Sequence, residues 1–180
     1  RTATGPGAAD PQGRTHGTHV AGIAAGTRQD FSGVARGAGI MAINVFGSGD
    51  GAYVSDQVLA LEHVYSKRNT FSIASVNMSL GGGGPYPYAC DSSSPSRASV
   101  MAQLRAAGIA VVVASGNDSF DNGISIPACI SSAISVGSTT NPGDTVSYFS
   151  NSAQILDLLA PGHYIYSSVP VNSFAAYPGT

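Results

Sequence analysis

The sequence predicts an α/β domain with a mostly parallel central sheet and helices on both faces. Three observations lead there. Short apolar runs alternate with stretches whose apolar residues recur at helical spacing, as in successive βαβ units. One run, Ile109 to Ala114, is apolar throughout, as in a strand covered on both faces. The connections between runs are rich in serine and glycine, and glycine alone fills 23 positions. At 180 residues the chain is one domain's worth, enough to bury a sizeable core.

Arg1 to Thr15 is polar, rich in Gly, Ala and Pro, and without period, so it reads as loop. A helix begins at or just after His16 and runs to about Gly26. Its residues are small and almost uncharged, which suits burial on several sides. After a short polar connection, Gly39 to Val45 reads as a buried strand, and Gly47-Ser48-Gly49-Asp50-Gly51 as a turn. Ser55 can cap a helix to about Tyr65 with an apolar face of Val58, Leu59, Leu61 and Val64. Ile73 to Met78 is a strand that runs into Gly81-Gly82-Gly83-Gly84. That run is either a flexible spacer or a place where another backbone comes close; within a globular pattern, close approach is favoured. Ser96 opens a third helix that Gly108 stops. Ala133 to Gly137, Ile155 to Leu159 and Tyr164 to Val169 read as further, weaker strands of the same kind.

In parallel sheets, ligands bind beyond the carboxyl ends of the strands. The glycine run at Gly81 and the triplet Ser115-Gly116-Asn117 both lie just past strand ends. Periodicity alone therefore puts them on one rim.

Only 10% of the residues are charged and the net charge is −2, which argues against nucleic-acid binding, since that needs a basic face. No apolar run approaches the roughly 20 residues of a membrane span. The two cysteines, Cys90 and Cys129, each sit in a loop of turn residues. By themselves they fit a disulfide in an exported protein or two thiols in a cytosolic one.

The stretch with the most chemistry is His16-Gly17-Thr18-His19-Val20-Ala21-Gly22. A histidine at a helix start suits a general base, because imidazole titrates near neutral pH. A lone histidine there is more often a capping or core residue. A metal pair on a helix would stand four apart around a glutamate; here the spacing is three with no acid between. Taken with Asn77-Met78-Ser79-Leu80-Gly81-Gly82, Ala114-Ser115-Gly116-Asn117 and Leu159-Ala160-Pro161-Gly162, the string resembles the subtilisin-like serine proteases (subtilases, peptidase family S8). The similarity runs from about Asp10 to Thr180.

The resemblance implies a subtilisin-like three-layer fold, truncated at both ends, and a serine endopeptidase. His16 would be the base and Asn117 the side-chain oxyanion donor, with His19 structural. Gly17 would leave room beside the imidazole, and Gly22 would let the helix pack closely. Ser79, Leu80 and Gly81 would pair with one edge of an extended peptide, and Gly49, Asp50 and Gly51 with the other. Ala114, Ser115 and Gly116 would line the pocket for the residue before the cut. Subtilases are commonly exported, which favours a Cys90–Cys129 disulfide, an extracellular location and a propeptide in the parent.

Two parts of the triad have no match. Pro178-Gly179-Thr180 stands where the family reads Gly-Thr-Ser-Met-Ala, so the nucleophile is expected at the next position. Asp10, followed by Pro11-Gln12, lacks the family's Asp-Thr/Ser-Gly motif and is rejected as the acid. The chain alone is therefore expected to be inactive. A non-catalytic peptide-binding relative is the alternative, with intact His16 and Asn117 against it. The chemistry requires no cofactor. Structural calcium stays open without assigned ligands, because Asp118, Asp121 and Asp144 show no recognisable ligand spacing.

Overall fold

The computed structural model describes residues 14–29, 31–47 and 51–180. They fall into two compact units. The first comprises residues up to Gly51 and Tyr164–Tyr177; the second comprises Ala52–His163 and Pro178–Thr180. No helix among the described residues is long and apolar enough to cross a membrane.

The first unit packs helix α1 (His16–Ala25) on a hairpin of two strands, Ile165–Val169 and Ser173–Tyr177. The strands are antiparallel, with Ile165 opposite Tyr177 and Val169 opposite Ser173. Small residues allow the close fit. A Cβ on Gly22 would collide with the hydroxyls of Ser167 and Ser168. Those hydroxyls donate to helix carbonyls, Ser167 to His19 O at 2.7 Å and Ser168 to Thr18 O at 3.3 Å. At the far end, Val34 and Ala35 donate to the carbonyls of Ile23 and Ala24, at 2.9 and 2.8 Å, pairing the last turn's free acceptors.

Two sequence expectations fail in this unit. Tyr164 to Val169 is a strand, but it belongs to the antiparallel hairpin and not to the parallel sheet. Gly39 to Val45 is neither buried nor a strand: residues 39–44 are exposed and irregular. An apolar run becomes a strand only where a neighbour takes its N–H and C=O groups, and no described residue forms a ladder with it.

The second unit is built on four parallel strands: β1 (Ser75–Met78), β3 (Ala110–Ala114), β5 (Ile134–Thr139) and β6 (Leu158–Pro161). They lie in the order β1-β3-β5-β6. The register sets Met78 beside Val113, Val112 beside Ile134 and Val136 beside Leu158. Along β3 the side chains alternate; Val111 and Val113 are buried, while Ala110, Val112 and Ala114 are half-buried. One face of the strand is thus fully covered, not both. Helices α2 (Val54–Lys67) and α3 (Pro95–Ala106) pack on each other and share a core with the sheet, through Leu61, Val64, Val100, Met101 and Leu104. Each such side chain, fully buried, contributes about 1.5–3 kcal/mol.

Both helices start slightly earlier than the sequence suggests. Tyr53, not Ser55, is the N-cap of α2. α3 opens with Ser94 at the N-cap and Pro95 in the first turn, where a missing N–H costs nothing. It ends at Gly108, whose φ of +79° suits glycine and lets Ile109 N–H reach Leu104 O at 3.0 Å.

The last three glycines of the run are themselves strand. β2 (Gly82–Tyr86) pairs antiparallel with β4 (Ile124–Ile126), which sequence periodicity does not reveal. Close approach holds at two of the glycines. A Cβ would lie 3.3 Å from Ile126 O at Gly81 and 3.1 Å from Ile124 O at Gly84, while Gly82 and Gly83 face open space. Beside this ribbon, Cys90 and Cys129 form a disulfide with Cα atoms 5.4 Å apart.

Candidate active site

Parallel pairing of β1 and β3 brings their carboxyl ends out on one edge, so Ser79-Leu80-Gly81 and Ser115-Gly116-Asn117 are neighbours. A Cβ on Gly81 would lie 3.8 Å from the carbonyl of Ala114. Ser79 leaves β1 with its hydroxyl accepting from Asn77 Nδ2 at 3.0 Å. Leu80 turns toward the core, and Gly81 leads into β2.

Ser115 is fully buried. Its N–H donates to Val136 O at 2.9 Å and its hydroxyl to Asn151 O at 3.0 Å, so the side chain points inward. Gly116 follows with φ +108°, a conformation that favours glycine. A Cβ there would collide with Asn151 Nδ2 and Ser125 Oγ. The chain then exposes Asn117.

Asn117 Oδ1 accepts from both the N–H and the hydroxyl of Thr180, each at 3.0 Å. Gly116 N–H donates to the same hydroxyl at 3.2 Å. Thr180 is carried there by a short backbone track. Gly179 N–H donates to Gly162 O at 2.9 Å, and Gly162 N–H to Thr139 O at 3.0 Å. A Cβ on Gly162 would collide with Gly179 O and Ser138 Oγ, so this crossing requires a residue without one.

His16 is the first residue of α1, in the first unit. The residue is exposed. Partial burial, and secondarily the neighbouring His19 charge, hold its pKa below the ordinary 6.5. Gly17 has nothing within 4 Å of its Cβ position. His19 is only 4% exposed. Its Nε2 stands 3.0 Å from both Ile165 O and Ala175 O, a site for a donated N–H, and its ring lies 4.8 Å from that of Tyr177. His19 therefore pins α1 to the hairpin.

The residues of the second unit named by the sequence thus gather at one rim. Gly51 is exposed and belongs to the first unit, while Gly49 and Asp50 lie outside the described residues, as does Asp10. Among the described residues no three of His, Cys, Asp or Glu stand close enough to hold a metal ion, so calcium gains no ligand assignment.

Sequence reasoning missed Asn151 entirely. Its amide is fully buried under the Asn117 loop. The only signal was an asparagine in the polar stretch Ser150-Asn151-Ser152, which reads as an ordinary turn.

A family model, that of the subtilase family, matches residues 2–180. The chain belongs to the subtilase family. Among its relatives, the subtilase-type proteinase psp3 of Schizosaccharomyces pombe is 39% identical over 91% of this chain and 34% of its own length. The extracellular serine proteinase of a Thermus species is 37% identical over 94% of this chain and 38% of its own. Proteinase T of Parengyodontium album is 36% identical over 88% of this chain and 51% of its own. This subtilase chain therefore spans about a third to a half of these curated relatives. The crystal structure of a cold-adapted subtilisin-like serine proteinase superposes with a TM-score of 0.76 at 31% identity, covering 92% of this chain and 55% of that one. The fold is accordingly subtilisin-like.

Proposed function

We propose that this chain is the central part of the catalytic domain of an exported serine endopeptidase. Peptide hydrolysis by serine needs a nucleophile, a base, an acid that orients the base, and oxyanion donors. His16 is the base and Asn117 a donor; the nucleophile follows Thr180, and the acid lies outside the 180 residues. The observation that carries this reading is the Thr180–Asn117 contact. Whatever residue follows Thr180 emerges beside the Asn117 carboxamide, which is where a tetrahedral intermediate on a serine would develop its negative charge.

The substrate is a protein segment in extended form, laid along Ser79–Gly81 as an added strand. The small side chain of Ala114, half-buried at the end of β3, gives it room. His16 takes the nucleophile's proton and returns it to the leaving amine. The parent carries a propeptide and acts outside the cell, where the Cys90–Cys129 bond persists. The 180-residue chain alone is inactive.

A fluorophosphonate probe tests this. The full-length protein should be labelled at the residue after Thr180, and the 180-residue chain should not. A full-length protein that binds extended peptides but takes no label would instead be a non-catalytic relative with a peptide-binding cleft.

A further inference from the structure

We propose that Asn151 is a positioning residue for the oxyanion donor: its buried carboxamide fixes the loop Ser115–Asp118 and thereby aims the NH₂ of Asn117. The inference rests on the reading of Asn117 given above. Asn151 is fully buried, and every bonding site of its side chain is used within that loop or against it. Oδ1 accepts from the N–H groups of Asp118 at 2.8 Å and Phe120 at 3.1 Å. Nδ2 stands 3.1 Å from Ser115 O, 3.0 Å from Ser125 Oγ and 3.2 Å from Asp118 Oδ2, so two hydrogens serve three acceptors. The Asn151 backbone adds a donation to Gly116 O at 2.9 Å and accepts from the Ser115 hydroxyl at 3.0 Å.

Asn151 thus holds Ser115, Gly116 and Asp118, on both sides of Asn117, and does not touch Asn117 itself. Asn117 is left exposed between two clamped neighbours. The glycine at 116 is part of the same device, since any side chain there would meet the Asn151 amide. An oxyanion donor must stand about 2.7–3.1 Å from an oxygen that exists only in the transition state. Holding a site to roughly 0.5 Å falls to the groups behind it. Loosening this loop should therefore slow turnover while leaving substrate binding along Ser79–Gly81 largely intact.

The experiment is a double-mutant cycle in the full-length protease, with Asn151→Ser, Asn117→Ala and both together, read as kcat and KM on a peptide amide. Asn151→Ser should lower kcat about tenfold or more with KM within about threefold. The double variant should be no slower than Asn117→Ala within about twofold, because aim is irrelevant once the donor is gone. Losses that multiply in the double variant would mean that Asn151 acts through general stability, and would overturn the proposal; so would an unchanged kcat in Asn151→Ser. Should Asn151→Ser not fold, Ser125→Ala, which removes one of the three acceptors facing the Asn151 NH₂, enters the same cycle. An Asn117→Ala protein with intact kcat would overturn the oxyanion reading itself and the positioning role with it. Multiplied losses with a slow Asn117→Ala overturn the positioning role alone.

Discussion

The carboxamide oxygen of Asn117 accepts two hydrogen bonds from Thr180, one from its N–H and one from its hydroxyl. With the oxygen committed on that side, the NH₂ group is the part of the amide available to a reacting carbonyl. This separates two jobs in one side chain: the oxygen holds the neighbouring backbone, and the nitrogen is left to donate.

Asn117→Asp tests the separation. Aspartate keeps an acceptor for both Thr180 donors, so the loop and the folded stability should change little. It loses the donor and, on the proposed reading, places a negative charge where the oxyanion would form. If the full-length protein is the proposed protease, its kcat should fall at least as far as in Asn117→Ala. For loss of such a donor subtilisin, the family's namesake, is the known example, at about 10²–10³ in kcat; the size here is taken from it. Steady-state kinetics with a thermal unfolding curve decides. Unchanged kcat would remove Asn117 from the chemistry, and a large loss of stability would show that its role is structural.

What the sequence made legible follows from how each element is stabilised. α2, α3, β1, β3 and β5 carry their own periodic or continuous apolar signal and α1 a run of small, almost uncharged residues, and they stand close to where those signals put them. β2 and β4 do not, because a glycine run has no strand propensity and Ile124–Ile126 is only three residues; each exists through pairing with the other. β6 begins at Leu158, although the apolar run starts at Ile155, because Leu158 is the residue that pairs with Val136. Gly39 to Val45 shows the converse, apolar residues with no ladder among the described residues. The rim was legible for a topological reason, since strand ends of a parallel sheet share an edge. Asn151 was not, because nothing in a short polar stretch tells that one amide will be buried beneath a loop more than thirty residues away.

Gly22→Ala should destabilise the first unit. Alanine normally favours a helix interior over glycine by about 0.5–1 kcal/mol. Here its Cβ would collide with the hydroxyls of Ser167 and Ser168. Neither hydroxyl can swing aside freely, because each is bonded to a carbonyl of α1. Overpacking of this kind costs about 1–3 kcal/mol and outweighs the helix gain. Gly17→Ala, with open space at its Cβ position, keeps the gain and should be neutral or slightly stabilising. Unfolding free energies from urea titrations of the two variants should therefore move in opposite directions or differ by at least 1 kcal/mol, taken as about the lower bound of that range. Equal unfolding free energies would contradict the packing argument.

The Cys90–Cys129 bond closes a loop with a sequence separation of 39. Chain entropy alone predicts a stabilisation of roughly 4 kcal/mol for a loop of that size. Both sulfurs are buried, so the double replacement Cys90→Ala with Cys129→Ala is preferable to serine, which would bury unpaired hydroxyls. The backbone bond from Cys90 N–H to Cys129 O, at 2.9 Å, remains to keep the two loops adjacent. The double variant should unfold at a markedly lower urea concentration, and dithiothreitol should lower the midpoint of the parent but not of the variant. An unchanged midpoint in both comparisons would leave the disulfide without a stabilising role.

His16 binds a proton less readily in the folded chain than in the unfolded one, first because it is partly buried and then because His19 is near. Between its folded pKa and the ordinary 6.5 the unfolded chain therefore holds more protons. Linkage then fixes the sign: this site's effect on stability is nil well above pH 6.5, and stability is lost as pH falls below that value toward the folded pKa. An NMR titration of the His16 ring protons in the 180-residue chain should give a midpoint below 6.5. If the full-length protein is the proposed triad protease, a carboxylate bonded to the other side of the imidazole favours the charged form there and raises that midpoint. The two proteins should thus titrate in opposite directions from one another, the chain low and the protease higher. Equal midpoints would mean that no carboxylate reaches His16, and the base would then lack the group that orients it in a serine protease.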